Sequence, residues 1–325
     1  MTNAISVRDL DVLAPDAWDA ATVATEAPLR FSHRAAAGRA FEAAYPEYDY
    51  EPCRVEYDDG TTLLVPLVRV GRRLGALTTM LGMPLGLEGR PLVIAGELRP
   101  GHLHGLFAAL EGCGRLVVHG GAGGPLAVDG PGEHASTHIL ELAPGFEMLW
   151  EQSFSSKNRN STRKAEKAGI EVGRADDVGA YHALYSAASR AWGYSDPPYP
   201  RALLDALMDS GHAELWLGRL DGTPVAGAFL LRGSDDVFYW SGAVAAEHRT
   251  LAPGNAVITT AVKSACERGL GYFDFGASTG LPGVSAFKES FGASEVRYGT
   301  VDLASRRYRA ATAAQRMLAG RKSGA

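Results

Sequence analysis

Two α/β halves in succession, each a mixed sheet flanked by helices, are the fold class the sequence predicts. Strand-like and helix-like periods alternate along all 325 residues. Helical stretches stop at Gly169, Gly211 and Gly269, the place a C-terminal cap glycine takes. Short turns, Asp58-Asp59-Gly60 and Asp221-Gly222, join neighbouring strands as hairpins. The length exceeds one typical core, and a boundary near 145–152 divides the chain into halves of 1–148 and 149–325.

In the first half, residues 51–58 and 61–70 read as a hairpin around Gly60, the second strand being apolar from Leu63 to Val70. Gly71 to Gly89 reads as a glycine-rich bend and loop, Leu92–Ala95 as a short strand and His102–Gly112 as a helix. Leu116–His119 is a buried strand running into Gly120-Gly121-Ala122-Gly123-Gly124-Pro125, and His138–Leu142 closes the half. In the second half, Ser155–Ala168 is a basic helix, Ile170–Val172 a strand, and Val178–Trp192 and Pro200–Ser210 are helices. Three strands follow, Ala213–Leu220, Pro224–Arg232 and Asp236–Ala243, then a helix over Asn255–Arg268 and a buried strand over Tyr272–Phe275.

Composition narrows the class. Hydrophobic residues make up 46% and charged residues 21%, the balance of a globular chain rather than a disordered one. The net charge of −5 argues against wrapping a DNA duplex, so a polyanion would be met only through a local patch. Cys53, Cys113 and Cys266 are odd in number and far apart, which fits a reducing compartment. Met1–Trp18 carries no apolar leader core, and no run approaches the roughly 20 apolar residues of a membrane span. A cytoplasmic location is the expectation.

The order hairpin, strand, glycine-containing loop, helix, strand over Ala213–Gly276 resembles the second half of the GNAT acyltransferase fold. There, backbone N–H groups between the fourth strand and its helix hold the pyrophosphate of coenzyme A. The family's Arg/Gln-x-x-Gly-x-Gly/Ala loop falls here on Leu251, Gly254 and Ala256, with Asn255 between them: the small residues are kept and the Arg/Gln is replaced by leucine. Two further segments, Lys157–Ile170 and Phe273-Asp274-Phe275-Gly276-Ala277-Ser278 with Phe287–Ala293, resemble the Fem-type transferases. Those enzymes are built from two GNAT-like halves and move an amino acid from aminoacyl-tRNA to an amine, and the match is to their compact form without a helical arm. The resemblance covers residues 150–300; the first half shares the architecture.

It implies an acyl donor over the second half, at Gly254, Asn255, Ala256 and Phe287, with Lys288 stabilising the oxyanion of the tetrahedral intermediate. Lys288 also reads as an ordinary surface lysine ahead of an apolar Phe291 anchor. Arg159, Arg163 and Lys167 lie at i, i+4 and i+8, one cationic stripe that suits a phosphate ligand or a solvated helix face. Asp274, a carboxylate within an apolar strand, is a candidate base for the amine or a structural cap. Trp192, Tyr194, Asp196 and Tyr199 form an aromatic loop suited to the acceptor, with Met80–Glu88 a second acceptor-side segment, or simply a helix-to-helix packing element.

Several motifs are excluded. His102 and His104 have no carboxylate-rich partner segment for a metal, Gly120–Gly124 lacks the Lys-Ser/Thr of a phosphate loop, and no Gly-x-Ser-x-Gly elbow occurs. Arg306, Arg307, Arg309, Arg316, Arg321 and Lys322 give the C-terminal tail a basic character, suited to tRNA, anionic lipid or solvent. The expected activity is N-acyl transfer from aminoacyl-tRNA to an amine on a peptidoglycan precursor or small metabolite, without a tightly bound cofactor or metal. Acyl-CoA is the alternative donor, and a catalytically silent GNAT-like binding module the alternative of another class.

Overall fold

The computed structural model of the protein describes residues 4–25, 27–71, 77–121, 126, 134–278 and 282–322. From the N-terminus run β1 (Val7–Val12), α1 (Pro15–Val23), α2 (Ala35–Ala44), β2 (Tyr48–Tyr50), β3 (Cys53–Tyr57), β4 (Thr62–Val65) and β5 (Leu67–Val70). They are followed by β6 (Thr79–Gly82), β7 (Leu92–Ala95), α3 (Pro100–Ala109) and β8 (Arg115–His119). Next come β9 (His134–Glu141), α4 (Phe146–Met148, continued by a wide helical turn Leu149–Ser153), α5 (Ser156–Lys167) and β10 (Glu171–Ala175). Helices α6 (Val178–Ala191) and α7 (Arg201–Asp209) lead into β11 (Ala213–Leu220), β12 (Thr223–Arg232) and β13 (Asp236–Val244). The chain ends in α8 (Pro253–Glu267), β14 (Tyr272–Asp274), α9 (Pro282–Glu289), β15 (Ser294–Ala304) and α10 (Arg306–Lys322).

Two compact units result, Met1–Ala135 with Arg297–Ala325, and Ser136–Val296. They part at 135/136 and again at 296/297, where the sequence placed one boundary at 148/149. Long-range pairing explains the difference. β9 joins the second unit by antiparallel pairing with β14, Leu140 opposite Phe273. β15 returns the chain to the first unit, where Thr300–Ala304 pair with β8.

In the first unit, β1, β3, β4 and β7 form a four-stranded sheet, while β15, β8, β6, β5 and β2 are neighbours in that order. The stretch 61–70, expected as one strand, is two. Pro66 has no N–H for a ladder, and the chain changes sheets there: β4 pairs with β3 and β7, β5 with β2 and β6. Tyr57, Leu63, Val65, Leu103, Leu116, Val118 and Val301 build the core of this unit. His102 and His104 of α3 serve local structure: His102 meets Asp59 at 3.1 Å and accepts from the Arg99 N–H, and His104 lies 3.1 Å from the Pro100 carbonyl. Ala122–Pro125 and residues 72–76 lie outside the described residues, as do the side chains of Arg316, Arg321 and Lys322.

The second unit is a sheet in the order β10-β11-β12-β13-β14-β9. β10 to β13 form an antiparallel meander. At the β11–β12 hairpin Asp221 and Gly222 both have positive φ, 50° and 77°, as the turn type matching strand twist requires. β13 and β14 are parallel, and α8 makes the crossover between them. α8 is apolar along Val257, Ile258, Ala261, Val262 and Ala265, which lie against Ala226, Ala228 and Leu230 of β12 in one cluster. Phe154, Phe273, Phe275 and Phe291 complete that core. Among the described residues no helix is long and apolar enough to cross a membrane.

Candidate active site

The register of β13 creates the site. Only Asp236, Val237 and Phe238 of this nine-residue strand pair with β14. Beyond Phe238 the pairing with β14 ends while β13 runs on to Val244, so the two strands fork. The register between β12 and β13 shifts between Phe229 (opposite Ser241) and Leu230 (opposite Tyr239), an irregularity that twists β13 at the mouth of the fork. α8 begins at the far end of the opening, and a cleft of about 570 Å³ lies there, lined by β13, the first turns of α8, Trp192 and Phe287 of α9.

Ala252 precedes α8 in left-handed conformation (φ 58°, ψ 40°) and supplies no side-chain cap, and Pro253 supplies no N–H. The N-terminal end of a 15-residue helix therefore meets the cleft with its partial positive charge unanswered by any capping side chain. Gly254 and Asn255 line the cleft, whereas Ala256 is buried. The Asn255 amide donates to Oδ1 of Asn158 at 2.8 Å, and the Asn158 amide donates to the Ser290 carbonyl at 3.2 Å. One turn further along both helices, the Thr162 and Thr259 hydroxyls meet at 3.1 Å. Asn158 and Thr162 are each 1% exposed, so this pair of rungs fixes α5 to α8. Neither was singled out from sequence, where polar residues inside a basic helix look solvated.

Arg249 was also missed. It lines the cleft beside Gly254, two positions before the leucine that departs from the GNAT loop pattern. A cation is thus present at the mouth of α8, displaced in sequence by two residues. Tyr239 lines the cleft as well; burial pushes its phenol up to about 12. Its hydroxyl lies over Gly242, where a Cβ would come within 1.8 Å of it.

Lys288 is 3% exposed, not a surface lysine. Its Nζ donates to the Gly276 carbonyl at 2.6 Å and the Ala277 carbonyl at 2.7 Å, tying the end of α9 to the segment that leaves β14. Burial pulls its ammonium down to about 8, opposed by the Asp274 carboxylate. Phe287, its neighbour, packs edge-on against Phe291 at 5.1 Å and faces the cleft. Asp274 is 7% exposed and its carboxylate accepts from the Thr137 hydroxyl and from the Gly276 N–H at 2.9 Å. It anchors the turn at Gly276 (φ 72°), the structural role rather than an open base.

The cationic stripe on α5 is divided by its contacts. The Arg159 guanidinium donates to the carbonyls of Trp150, Glu151 and Phe154, closing the wide turn after α4. Arg163 lies over the Trp150 ring at 5.4 Å but stays exposed, as does Lys167. Arg159→Met is expected to lower stability by about 1.5–3 kcal/mol, the range for hydrogen bonds to a charged group, measurable by urea unfolding. In the aromatic loop, Trp192 lines the cleft and is 53% exposed, while Tyr194 and Asp196 are exposed beyond it. Tyr199 is instead stacked between Tyr185 and Trp240, at 5.4 and 4.0 Å, and burial pushes its phenol up to about 12.

Trp192, Gly254, Asn255 and Phe287 are therefore brought together on one cleft, with Lys288 directly behind Phe287; Arg159, Arg163 and Lys167 are on α5, and Tyr199 is in the aromatic stack.

Residues 152–289 match the family described as acetyltransferase (GNAT) domain. No curated protein sequence matches the chain. Among solved structures, FemX is similar over 92% of this chain and 98% of its own, with a TM-score of 0.66 at 16% identity. A tandem GNAT protein from the clavulanic acid biosynthesis pathway is similar over 91% and 98%, with a TM-score of 0.54 at 12% identity. The C-terminal domain of a putative lysylphosphatidylglycerol synthetase from Agrobacterium fabrum covers 88% and 91%, with a TM-score of 0.56 at 12% identity. These likenesses extend beyond the matched domain to the first unit. Residues 152–289 thus match the GNAT acetyltransferase domain, and the chain shares the two-part fold of these structures.

Proposed function

We propose that the protein transfers an aminoacyl group from aminoacyl-tRNA to an amine carried by a cell-wall precursor or a small metabolite. The observation that supports transfer chemistry is the forked strand pair β13/β14, with the uncapped start of α8 on one side and Phe287-Lys288 on the other. An acyl donor laid in the fork puts its phosphate end at α8 and its carbonyl toward Phe287. An ammonium has three N–H donors, and the Gly276 and Ala277 carbonyls take two at Lys288. The third is left for the oxygen that becomes anionic as the amine adds to the carbonyl. Positioning and charge stabilisation carry the reaction.

For the tRNA donor speak the Fem-type segments at Lys157–Ile170 and Phe273–Ala293 and the exposed cations Arg163 and Lys167 on α5. A second reading, acyl-CoA as donor, is favoured by Arg249, which returns a cation to the place the GNAT loop requires one.

Binding of a mixed aminoacyl-tRNA pool and of acetyl-CoA to the full chain, at low and moderate salt, separates them. The proposal expects salt-sensitive tRNA binding whose slope against salt shrinks by about one in Arg163→Ala. Saturable acetyl-CoA binding without a tRNA signal, weakened about tenfold in Arg249→Gln as one lost charge-assisted contact would do, decides for acyl-CoA.

A further inference from the structure

The amine that attacks the donor must lose a proton, and Asp274 is engaged with Thr137 and Gly276. A second titratable group lies beside it. His138, on β9, is 2% exposed. Its Nδ1 is 3.2 Å from the Ser278 hydroxyl, and its Nε2 faces the Glu289 carboxylate at 3.7 Å, in ion-pair range. Glu289 adjoins Lys288 on α9, so the last turn of that helix reaches the segment after β14 twice: Lys288 holds the carbonyls of Gly276 and Ala277, and Glu289 faces the imidazole that meets Ser278. Gly276 sits against Phe238 and the Tyr239 carbonyl, and Tyr239 lines the cleft. Three consecutive residues on the acyl side of the fork are thus gripped by a cation and a hydrogen-bonding imidazole.

We propose that Ser278, His138 and Glu289 form a proton relay for the attacking amine; the inference rests on the acyl-transfer reading of the cleft. Glu289 facing Nε2 favours the neutral tautomer with its proton there, which leaves Nδ1 as the acceptor for the Ser278 O–H. As the amine nitrogen bonds to the donor carbonyl carbon, its proton passes to Ser278 Oγ while the Ser278 proton passes to His138 Nδ1. The imidazolium then stands between Ser278 and Glu289, whose charge stabilises it. When the bond to the leaving oxygen or sulfur breaks, the proton returns by the same path to that atom, so amine and acyl donor become amide and leaving alcohol or thiol with no net proton change. The charged group facing the ring is Glu289 on α9, while Asp274 on β14 meets Thr137 and interacts with the Lys288 ammonium.

Two measurements on the full chain test the relay. Side-chain nitrogen NMR of His138, assigned with His138→Gln and recorded with no donor or acceptor present, is expected to show the neutral ring protonated on Nε2. In Glu289→Gln that preference for Nε2 is expected to weaken, because the carboxylate facing Nε2 is gone. A ring protonated on Nδ1 in the unaltered protein, or a tautomer preference unchanged in Glu289→Gln, overturns the relay whatever the donor proves to be. With the donor selected by the binding comparison, Ser278→Ala and His138→Gln are each expected to lower kcat roughly 100-fold, within the range for general acid–base catalysis. KM for the amine is expected to stay unchanged, and the acid limb of the wild-type pH profile to vanish in both variants. Unchanged kcat in Ser278→Ala, or an acyl group trapped on Ser278 in quenched turnover, overturns it. Absence of turnover in the unaltered protein with every donor counts against the acyl-transfer reading, and the NMR result then decides the relay alone.

Discussion

Lys288→Met is expected to reduce transfer at saturating substrates by about 10²–10³-fold, the scale of one lost oxyanion donor, and to destabilise the fold at the same time. Methionine fills the volume but donates nothing, so the Gly276 and Ala277 carbonyls, held at 2.6 and 2.7 Å in the unaltered protein, lose their partner. Gly276 is buried and Ala277 exposed, so the unsatisfied Gly276 acceptor carries the cost, about 1–3 kcal/mol, readable by urea unfolding. The pH profile separates the two effects. Burial lowers the Lys288 ammonium from its ordinary 10.5 to about 8, so between these values the unfolded chain binds the proton and the folded chain releases it. The unfavourable contribution of the buried cation is then fully present below about 8 and is relieved as pH rises toward 10.5. On the proposed role of Lys288 as oxyanion donor activity runs the other way: kcat is expected to fall as pH climbs through about 8, and this basic limb is expected to be absent in Lys288→Met. A basic limb that persists in the variant belongs to another group and removes Lys288 from the chemistry.

Phe291→Ala is expected to be the most damaging single change to stability, about 3–5 kcal/mol as for a buried aromatic truncated to alanine. The ring is 0% exposed and touches Phe154, Phe275 and Phe287, with centroids at 5.2, 5.4 and 5.1 Å. It joins the wide turn after α4, the strand end beyond β14 and the cleft wall, so its loss removes the support of Phe287 together with core volume. Denaturant unfolding reads the first effect and KM for the donor the second. A loss under 1 kcal/mol, the scale of a well-tolerated core swap, means that Phe287 is held in place by something other than this stack.

The parts of the fold legible in sequence are those set by local chemistry. Asp221-Gly222 announces its hairpin because both residues must take positive φ, and Gly269 announces the end of α8. Gly254 and Asn255 are singled out by the resemblance of Leu251–Ala256 to the GNAT loop. What escaped depends on distant partners. Spacing puts Arg159 and Arg163 on one stripe, yet no spacing rule tells that Arg159 turns back onto three carbonyls of the preceding turn while Arg163 lies over Trp150. Lys288 reads as a surface residue, since a buried lysine is rare and its acceptors are backbone carbonyls that any sequence possesses. His138 lies 140 residues from Ser278, and no local pattern connects them.

Unit Met1–Ala135 with Arg297–Ala325 is interrupted by the whole of Ser136–Val296. Synthesis on the ribosome is vectorial, and β8 must wait for β15: His119 meets Thr300 only after 181 further residues have emerged. At about 5–20 residues per second that delay is roughly 10–40 s, long enough for the inserted unit to fold first. The interrupted unit meanwhile presents β8, with its buried Leu116, Val117 and Val118, as an open strand edge. A nascent chain stalled before residue 300 is therefore the species of this protein most in need of a chaperone.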